Sequence, residues 1–212
     1  MLHCGVARWS PDARSRLAQA ALELYLQSGF EQTTVAEIAG RAGLTERTFF
    51  RHFADKREVL FVRTAALETQ MVEAVLGAPE GHPMDLIVAG LTAGETFFQG
   101  SRAWSQQREQ VILANASLME RELIKINTLK TVLAGALVRR GVAEPSATLA
   151  AAAGMVVYRQ AFERWIGAPE GAEWAATVQQ VREDLDSVLG HHEGWKRVRG
   201  GQTGASPGAK QD

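Results

Sequence analysis

The sequence contains a single cysteine, Cys4, in 212 residues. One thiol makes no intrachain disulfide, so the fold is not a disulfide scaffold, and a reducing cytoplasm is the expected compartment. Long apolar runs are missing as well. The longest uncharged, Ala-rich stretch, Pro145 to Tyr158, falls short of the ~20 residues a spanning helix needs, so no membrane partner is expected. The opening residues Met1 to Trp9 lack the apolar segment of a secretory signal. An excess of one charge is also lacking. There are 23 Lys+Arg and 24 Asp+Glu, a net charge of -1. Residues 1–60 hold 8 basic and 7 acidic side chains. Bulk charge therefore does not point to nucleic acid, and any such partner must be met by a few well-placed cations. Local catalytic signatures are absent too: no phosphate loop, no Gly-rich dinucleotide turn, no His-Glu-x-x-His and no Glu-x-x-His. His191-His192-Glu193 is the nearest approach to a metal cluster, but adjacent histidines on a helix point apart. No catalytic residue, metal or cofactor is expected.

What is present is helical periodicity. Apolar residues make up 46% of the chain, enough for a core, and Gly and Pro fall between the apolar-periodic segments. The pattern predicts an all-α protein of about nine helices. The first starts at Ser10-Pro11, with Leu17, Ala20, Ala21 and Leu24 on one face, and ends at Gly29. The second opens at Thr34 with Glu37 three residues on, a capping box, and breaks at Gly43. A short third helix follows Thr45, with Leu44 and Phe49 spaced as a hydrophobic staple. A fourth starts at Asp55 and runs to about Leu76. Helices at about 84–99, 103–115, 117–140, 146–166 and 172–189 complete the set, with Met119, Leu123, Ile126, Leu133 and Leu137 of the third of these inward. The expected organisation is a flexible arm over 1–9, a small helical domain over 10–54, a larger helical domain over 55–190, and a disordered tail over 191–212.

Residues Thr34 to Phe53 carry the functional reading. A helix of about eight residues, a turn at Gly43-Leu44 and a second short helix have the spacing of a DNA-binding helix-turn-helix. Ile38, Leu44, Phe49 and Phe53 join the first helix in a small core. Thr45, Glu46, Arg47, Thr48 and Arg51 then point outward. Those residue types suit the major groove: Arg bonds guanine bidentately, Thr bonds a base or touches a thymine methyl, and Glu accepts from cytosine. Thr34, His52 and Lys56 fall where phosphates would run.

The run from Thr33 to Leu60, TTVAEIAGRAGLTERTFFRHFADKREVL, closely resembles the N-terminal domain of the tetracycline-repressor (TetR) family. The resemblance is strong over about residues 11–60 and continues only as chain length and helical pattern. It implies a transcriptional regulator: a homodimer on double-stranded DNA with a palindromic operator, released by an unknown small-molecule effector bound in the second half. By position, Thr34, His52 and Lys56 match phosphate contacts, and Thr45, Glu46, Arg47 and Thr48 the base-reading part of the recognition helix. Phe50 stands where the family usually has Tyr, so a phosphate-touching hydroxyl is missing and packing alone is expected there.

In the last helix, Trp174, Val178, Val181, Leu185 and Val188 recur at helical spacing, and Met155, Tyr158, Phe162 and Trp165 do so in the helix before it. The resemblance implies that these two helices meet their copies in a four-helix dimer interface. The alternative is burial of both stripes within one subunit. Phe97, Trp104, Arg108, Ile112, Met119, Tyr158 and Phe162 are candidate effector-binding residues, and Arg108 faces either an acidic ligand or Glu122. The competing function classes are a helical enzyme and a DNA-binding protein without a ligand.

Overall fold

The computed structural model describes residues 12–98 and 101–190. The expected arm, the Ser10-Pro11 helix start and the tail with His191, His192 and Glu193 lie outside the described residues. All regular structure among the described residues is helical.

Helix α1 (Ala13–Ser28) begins at Asp12, whose carboxylate accepts from the Ser15 amide at 2.7 Å. That bond satisfies one of the donors a helix start leaves open. The capping box at Thr34 forms as expected. The Thr34 hydroxyl accepts from the Glu37 amide at 3.2 Å, and Glu37 Oε2 accepts from the Thr34 amide at 2.8 Å. Helix α2 (Val35–Arg41) follows it. At the turn, Gly43 takes φ +65° and the Leu44 amide donates back to Ala39 O at 2.8 Å. This is the Schellman closure, which needs a left-handed residue. An added Cβ on Gly43 would also stand 3.0 Å from Arg16 Nη2. Helix α3 (Glu46–His52) is capped by Thr45, which accepts from the Thr48 amide at 3.2 Å. Leu17, Leu22, Ile38, Phe49 and Phe53 close the core between these helices.

The next segment differs from the expected single helix. Asp55 Oδ1 accepts from the amides of Arg57 and Glu58 at 2.8 and 3.2 Å, but this starts only a 3-10 turn (Glu58–Phe61). Helix α4 (Thr64–Gly77) follows. The turn buries Val59, Leu60 and Phe61 together, three successive side chains that one face of an α-helix would not hold.

Helix α5 (Pro83–Thr92) and the short α6 (Glu95–Phe98) replace the helix expected over 84–99. The Leu91 carbonyl accepts from the Trp174 indole at 2.7 Å and from the Gly94 amide at 3.2 Å, so it leaves the α-helical ladder. Gly94 fits there because an added Cβ would meet Leu91 O at 3.1 Å and Met71 Cε at 3.3 Å. Then come α7 (Arg102–Leu113), α8 (Ala116–Arg139), α9 (Glu144–Gly167) and α10 (Trp174–Gly190). Helices α4, α5, α8, α9 and α10 form one bundle, and α7 packs on α1, α8 and α9.

Two apolar cores result. The first joins α1–α3 and the 3-10 turn, and it also takes in Val111, Ile112 and Leu118 from α7 and α8. The second fills the bundle, with Phe98, Phe162, Trp165 and Trp174 at its aromatic centre. The α1–α3 core is thus keyed into the later helices through α7 and the start of α8.

Two expectations are corrected here. Trp174, Val178, Val181, Met155, Phe162 and Trp165 are buried inside the subunit, because α9 and α10 turn their aromatic stripes toward α5 and α6. The stripe of α10 is buried only at its start: Leu185 is half-buried and Val188 exposed, as are Leu189 on α10 and Leu149 and Val156 on α9. On α8, Met119 and Leu123 are exposed, and Leu118, Leu129, Leu133 and Leu137 take the inward positions.

Candidate functional site

The face of α3 is set by its buried side. Phe49 is fully buried, which leaves Glu46, Arg47, Phe50 and Arg51 exposed. Among the described residues, Arg47 and Arg51 have no ion pair or hydrogen bond, so two guanidinium groups stand free on this surface. Thr45 and Thr48 share a hydrogen bond between hydroxyls at 3.0 Å. His52 stays partly exposed at the end of α3. Arg14 lines the same surface cleft as His52 and lies over the Phe53 ring at 5.5 Å. Nothing in the sequence pointed to Arg14, because only the packing of α1 across α3 brings it there.

Phe50 is 56% exposed and touches Phe49 edge-on at 5.4 Å. Much of the ring faces solvent, on the same exposed stretch as Arg47 and Arg51. Thr34 is exposed, but its hydroxyl donates to Glu37 Oε2 at 2.8 Å. The Thr34 backbone and side-chain hydrogen bonds hold the Glu37 carboxyl below its ordinary range.

Lys56 is placed differently from the expected phosphate contact. Its ammonium donates to Phe30 O at 2.8 Å, Thr33 O at 3.0 Å and Glu31 O at 3.1 Å. These are all three of its donors. It also lies 4.5 Å from the Phe30 ring centre, and its own carbonyl accepts from the Tyr25 hydroxyl at 2.6 Å. Lys56 thus clamps the α1–α2 loop. Lys56→Ala is expected to lower the stability of the fold by about 1–2 kcal/mol, since a charged hydrogen bond contributes roughly that much even when partly wet. Urea denaturation measures this. A loss of DNA affinity with unchanged stability would restore a phosphate role.

A second site lies between the two cores. It is a cavity of ≈ 70 Å³ lined by Leu60, Arg63 and Leu67 together with Phe97, Trp104, Arg108, Tyr158 and Phe162. Five of the seven expected effector-binding residues meet there. Ile112 does not, because α7 turns it into the core under α1, and Met119 is exposed on α8. Arg108 has its partner within the chain: it donates to Glu122 Oε2 at 2.6 Å and to Leu60 O at 2.8 Å. The bond to Leu60 joins the cavity wall to the 3-10 turn.

Glu109, on α7 next to the cavity wall, is buried, and its Oε2 has no partner among the described residues. Burial raises its pKa, Arg159 at 3.3 Å opposes that, and Glu122 adds to it. A folded-state pKa above the unfolded value means the folded chain holds the proton longer. Stability then falls as pH rises from the ordinary glutamate value of about 4.3 through the raised value, and is level beyond it. Glu109→Gln is expected to remove that decline in denaturation curves taken across the acid-to-neutral range. An identical slope in the variant would show that another group is responsible.

The profile of bacterial regulatory proteins of the tetR family matches residues 17–62, and that of the MftR C-terminal domain matches residues 81–190. The chain belongs to the TetR family. The HTH-type transcriptional regulator TcmR of Streptomyces glaucescens is 43% identical over 68 residues, which are 32% of this chain and 30% of TcmR. The match spans less than a third of that relative's length. Among solved structures, a TetR-family transcriptional regulator from Syntrophomonas wolfei superposes with a TM-score of 0.60 at 12% identity, covering 85% of this chain and 96% of that one. The transcriptional regulator FadR of Bacillus subtilis, solved in complex with stearoyl-CoA, gives 0.55 at 16% identity over 80% and 95% of the two chains. These likenesses establish the fold. Among the described residues no helix is long and apolar enough to cross a membrane.

Proposed function

We propose that this TetR-family protein is a sequence-specific DNA-binding repressor that a small-molecule effector releases from its operator. The outward face of α3 carries the reading: Arg47 and Arg51 stand exposed and unpaired beside Thr45, Glu46 and Thr48 on a helix whose other side is locked in a core. Arg47, Glu46, Thr45 and Thr48 read base edges in the major groove. Arg51, His52 and Thr34 meet the phosphates on either side, with Arg14 added to that set. Lys56 holds the loop that leads into Thr34.

The protein acts as a homodimer on a palindromic operator, since one short helix reads too few base pairs for specificity. Exposed Leu149 and Val156 on α9 and Val188 and Leu189 on α10 supply apolar surface for that contact. The cavity gives the effector its place. Its wall includes Leu60 and Arg63, at the join between the helix-turn-helix and the bundle. A ligand that widens it displaces α4 relative to α7 and changes the spacing of the two recognition helices. A coupling of 1–3 kcal/mol changes DNA affinity by roughly 5–150-fold.

The test is fluorescence anisotropy with DNA upstream of the protein's own gene, with and without candidate ligands, beside light scattering for the subunit count. Binding no tighter than to scrambled DNA of the same length overturns the DNA reading. A monomer at micromolar concentration overturns the dimer.

A further inference from the structure

Four cations line the cavity: Arg63, Arg108, Lys125 and Arg159. Three have carboxylate partners within the chain. Arg108 pairs with Glu122 at 2.6 Å, Lys125 with Glu58 at 3.4 Å, and Arg159 with Glu163 at 2.7 Å and Glu109 at 3.3 Å. Arg63 has none. Its guanidinium lies 4.2 Å from the Phe97 ring centre, and Nη2 donates to Phe97 O at 2.8 Å. Its other N–H groups have no hydrogen bond to the described residues. Burial alone lowers its pKa, with no acidic group offsetting it. Glu68, the remaining acid on the wall, is pushed up by burial and drawn down by Lys125, not by Arg63. A half-buried charge is ordinarily paired, because a counter-charge offsets the cost of leaving water. Here the counter-charge is missing, and the space in front is lined by Phe97, Trp104, Tyr158 and Phe162.

We propose that the cavity takes a small organic acid with an aromatic or short aliphatic body, its carboxylate bound by Arg63 and its body held among these rings. The inference rests on the cavity being the effector site. The guanidinium fork matches a carboxylate in geometry and charge. The aromatic wall excludes water from the pair and strengthens it. Size limits the body. At ≈ 70 Å³ the cavity is smaller than the about 150 Å³ that accommodates benzene, so a small acid enters only with part of its body in the mouth or with the wall displaced. The wall residue with most room to move is Phe97, which is only half-buried and sits on the four-residue α6.

The probes are benzoate, phenylacetate, 4-phenylbutyrate and octanoate, each beside its primary amide, which keeps shape and removes charge. Binding to the DNA-free protein is followed by calorimetry and by Trp fluorescence, since Trp104 lines the cavity. At least one acid is expected to bind about 10-fold or more tighter than its amide, the discrimination a charged hydrogen bond provides. In Arg63→Gln that preference should vanish while amide binding is kept. Arg63→Lys, which preserves charge without the fork, should retain part of it, and both variants are checked for native melting. Equal binding of acid and amide, a preference that survives in Arg63→Gln, or no acid binding at all would each overturn the proposal. Adding operator DNA separates the two readings. Acids that bind through Arg63 without loosening DNA would sink the effector role and leave the site. An uncharged ligand that loosens DNA would do the reverse.

Discussion

Trp174→Ala is expected to lower the melting temperature by about 6–20 °C. Truncating a buried Trp costs about 3–5 kcal/mol, and each kcal/mol shifts a protein of this size by roughly 2–4 °C. Trp174 is fully buried, 4.1 Å from Phe98 between ring centres and 6.2 Å from Trp165. Its indole also donates to Leu91 O at the α5–α6 break. Removing it empties the place where α6, α9 and α10 meet, and frees the wall that carries Phe97. Trp174→Phe keeps most of the packing and loses the hydrogen bond, so it should cost only about 1 kcal/mol. Thermal unfolding followed by circular dichroism reads both variants. A shift below about 3 °C for the Ala variant would mean that Trp174 is not a core residue. If the helix seam instead met a second subunit, dilution would split the variant into monomers without a large change in its intrinsic stability.

Arg47→Ala should weaken operator binding by about 5–150-fold, corresponding to the 1–3 kcal/mol of one bidentate base contact. Binding to unrelated DNA should fall far less, because Arg47 is one of several cations and phosphate attraction is shared among them. The ratio of the two affinities is the informative quantity. Equal losses on both DNAs would make Arg47 a phosphate contact. No loss on either would remove α3 from the interface. Phe50→Ala sharpens the same measurement, since a ring that is 56% exposed beside Arg47 can touch a thymine methyl. Replacing operator thymines by uracil should then weaken the native protein and not the variant.

Some features were legible because their causes are local. Thr34, Glu37, Gly43 and Thr45 act within a few residues of themselves, through caps and a left-handed turn. The helix-turn-helix and its outward side chains followed from those contacts and from one 3.6-residue period. Lys56 was not legible. Its carbonyl partners lie 23–26 residues earlier, and no local pattern marks a loop that needs a cation. Ile112 failed similarly, because α7 serves both cores and periodicity does not say which one a face enters.

The amino-acid sequence by itself determined an all-helical chain, the position and polarity of the recognition helix, and its place in the TetR family. Periodic burial and capping act over single turns, so spacing alone encodes them. The tertiary structure decided which surface each stripe meets. It turned the aromatic faces of α9 and α10 inward, left Leu149 and Val156 outside, and gave Arg108 to Glu122. It also left Arg63 without an acidic partner among the described residues, because pairing depends on distances between helices that lie far apart along the chain.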